Sequence, residues 1–342
     1  MPRVRNADRL QKKDNTGNVG KCIPVFPRAG LFTEDNLPFD INEVKSPYDY
    51  MKLFIPDELI DKIVKETKRY AAEKNCPVFQ DKVDRDIIRA SHAIMMMSGY
   101  LSPAQRRMYW EKREDTGNAL VKKTMSRNTF DNVMRYTHFA NSQNPKVDDP
   151  FWKVRLLFNA MNTAASKYVE KSEYVSVDES MVKYFGPHPL KQFIRGKPTR
   201  FGFKVWVLAT SNGEMIRCEP YGGAKTKLFT YGLSQGPDVV YGLVEDAKLV
   251  AGTKVACDNL FTSLDLLDNM SKKGIGVVGT MRQNRLCTLS IPSMQQAKKV
   301  KRGQKEELYV SDDQVVVMWK DSAPVYLASN FADVNPLGKC TR

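Results

Sequence analysis

Two aspartates stand at comparable points of the chain. Asp178 closes the alternating stretch EYVSVD, and Asp258 closes the short apolar stretch KVACD. Alternation puts Tyr174, Ser176 and Asp178 on one side of an extended strand, with Val175 and Val177 on the other. Each carboxylate would then finish a strand. If the two strands are neighbours, the charges repel and are costly to desolvate together. A hard divalent cation removes that conflict, and oxygen-rich carboxylate sites suit Mg²⁺ or Mn²⁺. Two such ions about 3.5–4 Å apart can stabilise both the attacking and the leaving oxygens of a phosphoryl displacement. The competing reading is structural: a strand-end aspartate is usually a turn residue, and Asp258-Asn259 also fits a cap for the helix that follows.

The residues after Asp178 sharpen the first reading. Between Ser180 and Lys204 the chain carries Lys183, Lys191, Arg195, Lys197, Arg200 and Lys204 and no acid. Phe185, Phe193, Phe201 and Phe203 interleave with them. Cations neutralise phosphates, and aromatics stack on exposed bases or wedge between them. Arg282, Asn284 and Arg285 of GTMRQNR would lie near the same strand ends and join the candidate DNA-contacting set. The plainer alternative for this run is a solvated basic hairpin.

Whole-chain composition points the same way. Lys and Arg total 53 against 39 Asp and Glu, a net charge of +14, which favours a polyanionic partner, nucleic acid before membrane. No run approaches the roughly 18 apolar residues of a membrane span. The opening MPRVRNADRLQKKDNTGN has no apolar centre, so a secretory signal is not expected and an intracellular protein is. The six cysteines, Cys22, Cys76, Cys218, Cys257, Cys287 and Cys340, form no CxxC and no Cys/His cluster. Free thiols are expected, and zinc is not.

The elements that must position these residues follow from periodicity. Residues 1–45 lack periodicity and read as a basic, mostly disordered tail. Residues 46–170 read as helical. The start signals are Ser46-Pro47, Pro56-Asp57, Ser126 and Pro150, and apolar positions recur at helical spacing. A helix is predicted from Pro150 with Trp152, Val154, Leu157 and Met161 on its apolar side; Met95-Met96-Met97 and His92 read as core. From residue 171 the period becomes two. EYVSVD, FGFKVWVLAT and GEMIRCEPY are strands, the last two joined at Ser211-Asn212-Gly213. A helix opened by Pro237, the strand TKVACD, a helix capped by Thr262 and the strand IGVVGTM complete the order β-β-β-α-β-α-β over 171–285. That is the order of the ribonuclease H-like fold, so the chain is expected to be multi-domain α/β. Residues 286–342 carry the cationic run KKVKRGQK at 298–305 and continue as short strands.

The strings VDESMVKYFGPHPLKQFIRGKPTRFGFKVWVL and DNLFTSLDLLDNMSKKGIGVVGTMRQNR resemble the piggyBac transposase family. YMKLFIPDELIDKIVKETKRYA, SRNTFDNVMRYTHF, DDPFWKVRLLFNAMN and VVMWKDSAPVYLAS occur in the family's order as well, and together the resemblance spans about residues 48–330. It implies a helical dimerisation and DNA-binding region over 46–170, a ribonuclease H-like catalytic domain over 171–285 and a β-rich insertion over 286–342. It also implies duplex DNA as partner, a possible homodimer, a nuclear location and Mg²⁺-dependent cut-and-paste chemistry at TTAA sites. Of the family's three catalytic aspartates, the first matches Asp178 and the second Asp258. The third belongs to a motif that lies beyond the last residues of this chain, as does the family's cysteine-rich zinc-binding tail. Asp312, Asp313, Asp321 and Asp333 do not fit that motif, and Pro187 stands where the family commonly has Arg. The expectation is a transposase-derived DNA-binding protein, truncated or domesticated, with two of three site carboxylates. The alternatives are an active Mg²⁺-dependent transposase and a protein-interaction scaffold.

Overall fold

The computed structural model describes residues 46–334, apart from 114 and 229. The predicted tail over 1–45, Cys22 and Cys340 lie outside the described residues. The chain divides after Tyr168 into a helical unit and an α/β unit.

The helical unit holds α1 (Pro47–Phe54), α2 (Asp57–Glu73), α3 (Pro77–Lys82), α4 (Arg85–Met97), α5 (Ala119–Thr124), α6 (Arg127–Tyr136) and α7 (Arg155–Tyr168). Two of the start signals, Ser46 and Ser126, act as side-chain helix caps, and Asp84 is a third cap that was not predicted. Ser46 accepts a hydrogen bond from Asp49 N, Asp84 from Ile87 N and Ser126 from Thr129 N, each satisfying a donor that the first turn leaves over. Two small cores result. Leu59, Ile60, Ile63, Phe79 and Val133 are among the residues that bury one, while Ile94, Tyr109, Val121 and Phe130 belong to the other.

Two expectations change here. The helix predicted from Pro150 begins at Arg155, because Asp149 takes the preceding turn. Its Oδ1 accepts from Phe151 N at 3.0 Å, and its two oxygens hold the Arg155 guanidinium at 2.6 and 2.9 Å. The buried side of α7 is accordingly Asn162, Ala164 and Ala165, and Met161 is exposed. The methionine run also splits by helical geometry: Met97 is buried and Met96 is exposed.

The α/β unit contains β1 (Tyr174–Lys183), β2 (Gln192–Phe193), β3 (Phe201–Thr210), β4 (Met215–Pro220), α8 (Gln235–Asp246), β5 (Lys254–Cys257), α9 (Leu264–Ser271) and β6 (Gly276–Thr280). These are followed by α10 (Met294–Lys299), β7 (Lys305–Ser311), β8 (Gln314–Lys320) and β9 (Pro324–Ser329). The nine strands form one sheet in the order β2-β3-β1-β5-β6-β9-β8-β7, with β4 on the other part of β3. The predicted β-β-β-α-β-α-β succession is present as β1, β3, β4, α8, β5, α9 and β6. β1 and β3 run antiparallel, and β1, β5 and β6 run parallel. Gly213 turns the β3–β4 hairpin at φ +88°, which an L side chain rarely adopts.

Alternation sets the core. Val175 and Val177 of β1, Trp206 and Leu208 of β3, Val255 of β5 and Val277 of β6 face α8 and α9, which contribute Leu243, Val244, Leu266 and Leu267. The last strands are continuous with this sheet, because β9 pairs antiparallel with β6. Asn330, fully buried, fastens the join: its amide donates to Leu267 O and Ile275 O, and its Oδ1 accepts from Val277 N.

Candidate nucleic-acid interface

Asp178 sits in the middle of β1. The strand was expected to end there, but its ladder to β3 continues to Lys183, with Asp178 opposite Val207. Only the pairing with β5 stops short, at Val177 opposite Cys257. Asp258 is the next residue after Cys257, so the parallel register puts the two aspartates one step past the last paired residues of adjacent strands. Neighbouring strands lie about 4.8 Å apart in this direction. Both aspartates are exposed. The sequence reading of two carboxylates at one rim of the sheet is therefore what the register shows.

The loop after Asp258 is tightly built. Asp258 Oδ1 accepts from Leu260 N at 2.8 Å, and its carbonyl accepts from Phe261 N, Thr262 N and Thr262 Oγ1. Asp258 is thus the turn residue that the structural reading described. Ser263, one residue later than the predicted Thr262, caps α9 by accepting from Leu266 N. Gly279 is required for the close approach of this loop, because a Cβ there would run into Thr262 Oγ1 and the Cys257 carbonyl. The Cys257 thiol is pushed up to about 11, chiefly by burial, which keeps it a thiol.

One loop cation sits on the other aspartate. Lys197 Nζ lies 3.0 Å from Asp178 Oδ2 and 3.6 Å from Glu179 Oε1, and donates to the Glu179 carbonyl at 3.1 Å. That carbonyl is available because β5 no longer pairs with β1 at this point. Burial works to raise the Asp178 carboxyl, but hydrogen bonds from Glu179 and Lys197 outweigh it and leave it below its ordinary value. Glu179 moves the opposite way, raised by burial first and then by its hydrogen bond to Asp178. Lys204 of β3 is lowered by burial, with its ammonium 4.0 Å from the ring centres of both Trp206 and Tyr221.

These contacts sort the predicted cations. Lys183, Arg195 and Arg200 are exposed. Lys191 is turned back onto the Phe185 and Gly186 carbonyls. Arg282 is exposed and bonds Asn259 beside Asp258 at 3.0 Å, and Asn284 is exposed. Arg285 has a structural job that spacing did not reveal: its guanidinium is anchored on the Leu260 and Thr262 carbonyls and holds the loop after Asp258. Sequence did not foresee that Gln192 and Phe193, the latter among the aromatics already singled out, form β2 on the edge of β3, or that Glu179 of the DE dipeptide shares Lys197 with Asp178.

The donor set can be tested against the expected metals. Among the described residues no group of three His, Cys, Asp or Glu side chains could hold an ion. Two aspartates are present at the rim, and one of them is engaged by an ammonium. This set of described residues does not fit a two-ion Mg²⁺ or Mn²⁺ site.

Comparison with known proteins agrees with the architecture. The family model described as "Transposase IS4" matches residues 46–341. Human "PiggyBac transposable element-derived protein 3" is 33% identical over 317 residues, which is 92% of this chain and 53% of that protein. Human "PiggyBac transposable element-derived protein 2" is 33% identical over 301 residues, 87% of this chain and 50% of that protein. The chain thus spans about half the length of these curated relatives. Among solved structures, the cryo-EM structure of a piggyBac transposase synaptic complex with hairpin DNA superposes with a TM-score of 0.74 at 23% identity, covering 86% of this chain and 63% of that one.

Proposed function

The chain belongs to the Transposase IS4 family, among its piggyBac-derived members, and on that premise we propose that it binds duplex DNA through the cationic rim beside Asp178 and Asp258. The observation that carries the reading is the charge distribution at the end of the β1–β3 pair. Six cations and no acid fall between Ser180 and Lys204, and Lys183, Arg195 and Arg200 among them are exposed. A DNA duplex carries a charge every ~1.7 Å along its axis, so a cluster of exposed cations gains by releasing the counterions it displaces. The piggyBac transposase of similar fold is in complex with hairpin DNA, which supports the same partner class.

The reading assigns phosphate binding and no cleavage step, since the described carboxylates fall short of a two-ion donor set. We propose a nuclear location as well, and its support is the proposed DNA partner. The test is fluorescence anisotropy with a labelled duplex across a salt series. The expected result is an affinity that falls linearly with salt on logarithmic axes. Replacing Arg195 and Arg200 with Gln should flatten that slope by about 2. Binding indifferent to salt, or a slope unmoved by the double substitution, would remove the proposal.

A further inference from the structure

The same rim exposes large aromatic surface that phosphate binding does not use. Phe185 is 74% exposed, Phe193 57% and Phe201 46%, beside Val182 at 52%. Phe193 of β2 is the register partner of Phe201 of β3, and their rings lie 4.8 Å apart, tilted by 39°. Val182 is the partner of Phe203, two residues along β3 from Phe201, and Asp178 is the partner of Val207. Since paired residues share a face and alternate residues repeat it, Val182, Phe193, Phe201 and Phe203 lie on the sheet face that carries Asp178. Phe201 is six positions along β3 from Val207, the partner of Asp178, about 20 Å at the usual rise. Phe203 is already covered by Tyr184 and His188, each with ring centres 4.8 Å away or packed beside it. Of the three phenylalanines on this face, Phe193 and Phe201 are left open.

Exposed phenyl pairs are costly in water unless something covers them. The surroundings specify what does. Lys183 lies over the Phe185 ring at 5.2 Å, Arg195 and Arg200 flank β2 and the start of β3, and no acid interrupts the segment. An apolar partner surface of another protein would have to tolerate these cations, whereas a nucleic-acid strand matches both features at once. A fully paired duplex hides the flat faces of its bases inside the stack, so only unpaired bases can reach the phenyls.

We propose that Phe193 and Phe201 form a stacking platform for unpaired bases, so that the rim prefers DNA with a single-stranded or forked segment over fully paired DNA. This rests on the proposed DNA binding and adds the structural state of the ligand. The strand running over the platform comes from the duplex held by Arg195 and Arg200, and its unpaired stretch lies about 20 Å along the strands from Asp178.

The experiment uses the full chain with two labelled DNAs of the same sequence, one fully paired and one with a short unpaired fork carrying 2-aminopurine. The expected result is tighter binding of the fork and a change in 2-aminopurine fluorescence as the base stacks. Phe193→Leu with Phe201→Leu keeps the apolar contact but removes both rings. It should weaken fork binding by roughly 5- to 100-fold while leaving duplex affinity and its salt slope unchanged. Phe193→Trp with Phe201→Trp should retain the preference, separating stacking from a merely structural role. Equal affinity for the two DNAs, silent 2-aminopurine, or unchanged fork binding in the Leu variant would overturn the platform. If duplex binding itself fails to respond to salt, the DNA reading falls instead, so the two failures are distinguishable.

Discussion

The helical unit and the α/β unit carry their charges differently. In the helical unit, cations meet acids along the helices: Arg85 pairs with Asp61, Arg89 with Asp57, Arg106 with Asp131 and Arg155 with Asp149. At the rim of the sheet, six cations occupy a segment without an acid of its own, and Lys197 crosses to Asp178 and Glu179 to find partners. The net +14 is therefore less informative than where pairing fails. Paired surface charges add little to stability, while exposed unpaired cations are what a polyanion recognises. The cores differ too. The helical unit divides its apolar residues between two small clusters, and the sheet packs one large cluster against α8 and α9.

That contrast can be tested, starting with the largest effect. Trp206→Ala should destabilise the α/β unit by about 3–5 kcal/mol, because the ring is almost fully buried in the large core. Urea denaturation followed by far-ultraviolet circular dichroism measures it; a loss below about 1 kcal/mol would mean that the sheet core is not the continuous body described. Asn330→Ala comes next, at about 1–3 kcal/mol, since it strands the Val277 amide and two carbonyls in the interior. The same denaturation reads this out. A neutral result would show that β9 is not fastened to β6 through this side chain.

A subtler effect separates Glu179 from its neighbour. With the folded Glu179 carboxyl raised, the unfolded chain binds fewer protons than the folded one above the ordinary glutamate value. Stability therefore falls as pH rises from that value to the raised one, and then levels off. Asp178, lowered, contributes the opposite slope at more acidic pH. Glu179→Gln should abolish the fall and shrink the acidic limb towards what Lys197 alone supports, because Glu179 also helps to lower Asp178. Equilibrium unfolding at a series of pH values checks this, and an unchanged profile would remove the coupling assigned to the pair. The smallest effect belongs to the helical unit: Asp61→Asn should leave the thermal midpoint essentially unmoved, because the Arg85–Asp61 pair lies on the surface. A large drop would break the distinction between the two units' charges.

Much of the architecture was readable along the chain because the local signals agreed. The alternation of β1 and β3, the Ser126 cap of α6 and the Gly213 turn each act over a few residues. Misjudged boundaries came from side chains that act on the backbone nearby, as Asp149 does before α7. At the site, the two aspartates and the cation run were visible as residue types. Their relationships were less so: Arg285 reads as a DNA contact in sequence, and its carbonyl partners at 260 and 262 sit 25 and 23 residues away.

Composition and period alone determined that this chain would build helices before 170 and a sheet after it, with two carboxylates at the ends of apolar stretches of sequence in a basic setting. Those properties depend on a residue and its close neighbours. Only the tertiary structure decided that β5 lies beside β1 in a register that brings Asp258 next to Asp178, that Lys197 reaches both Asp178 and Glu179, and that Phe193 lands opposite Phe201 in the open. Strand order and register arise from the packing of distant segments on a shared core, and no short stretch of sequence contains that information.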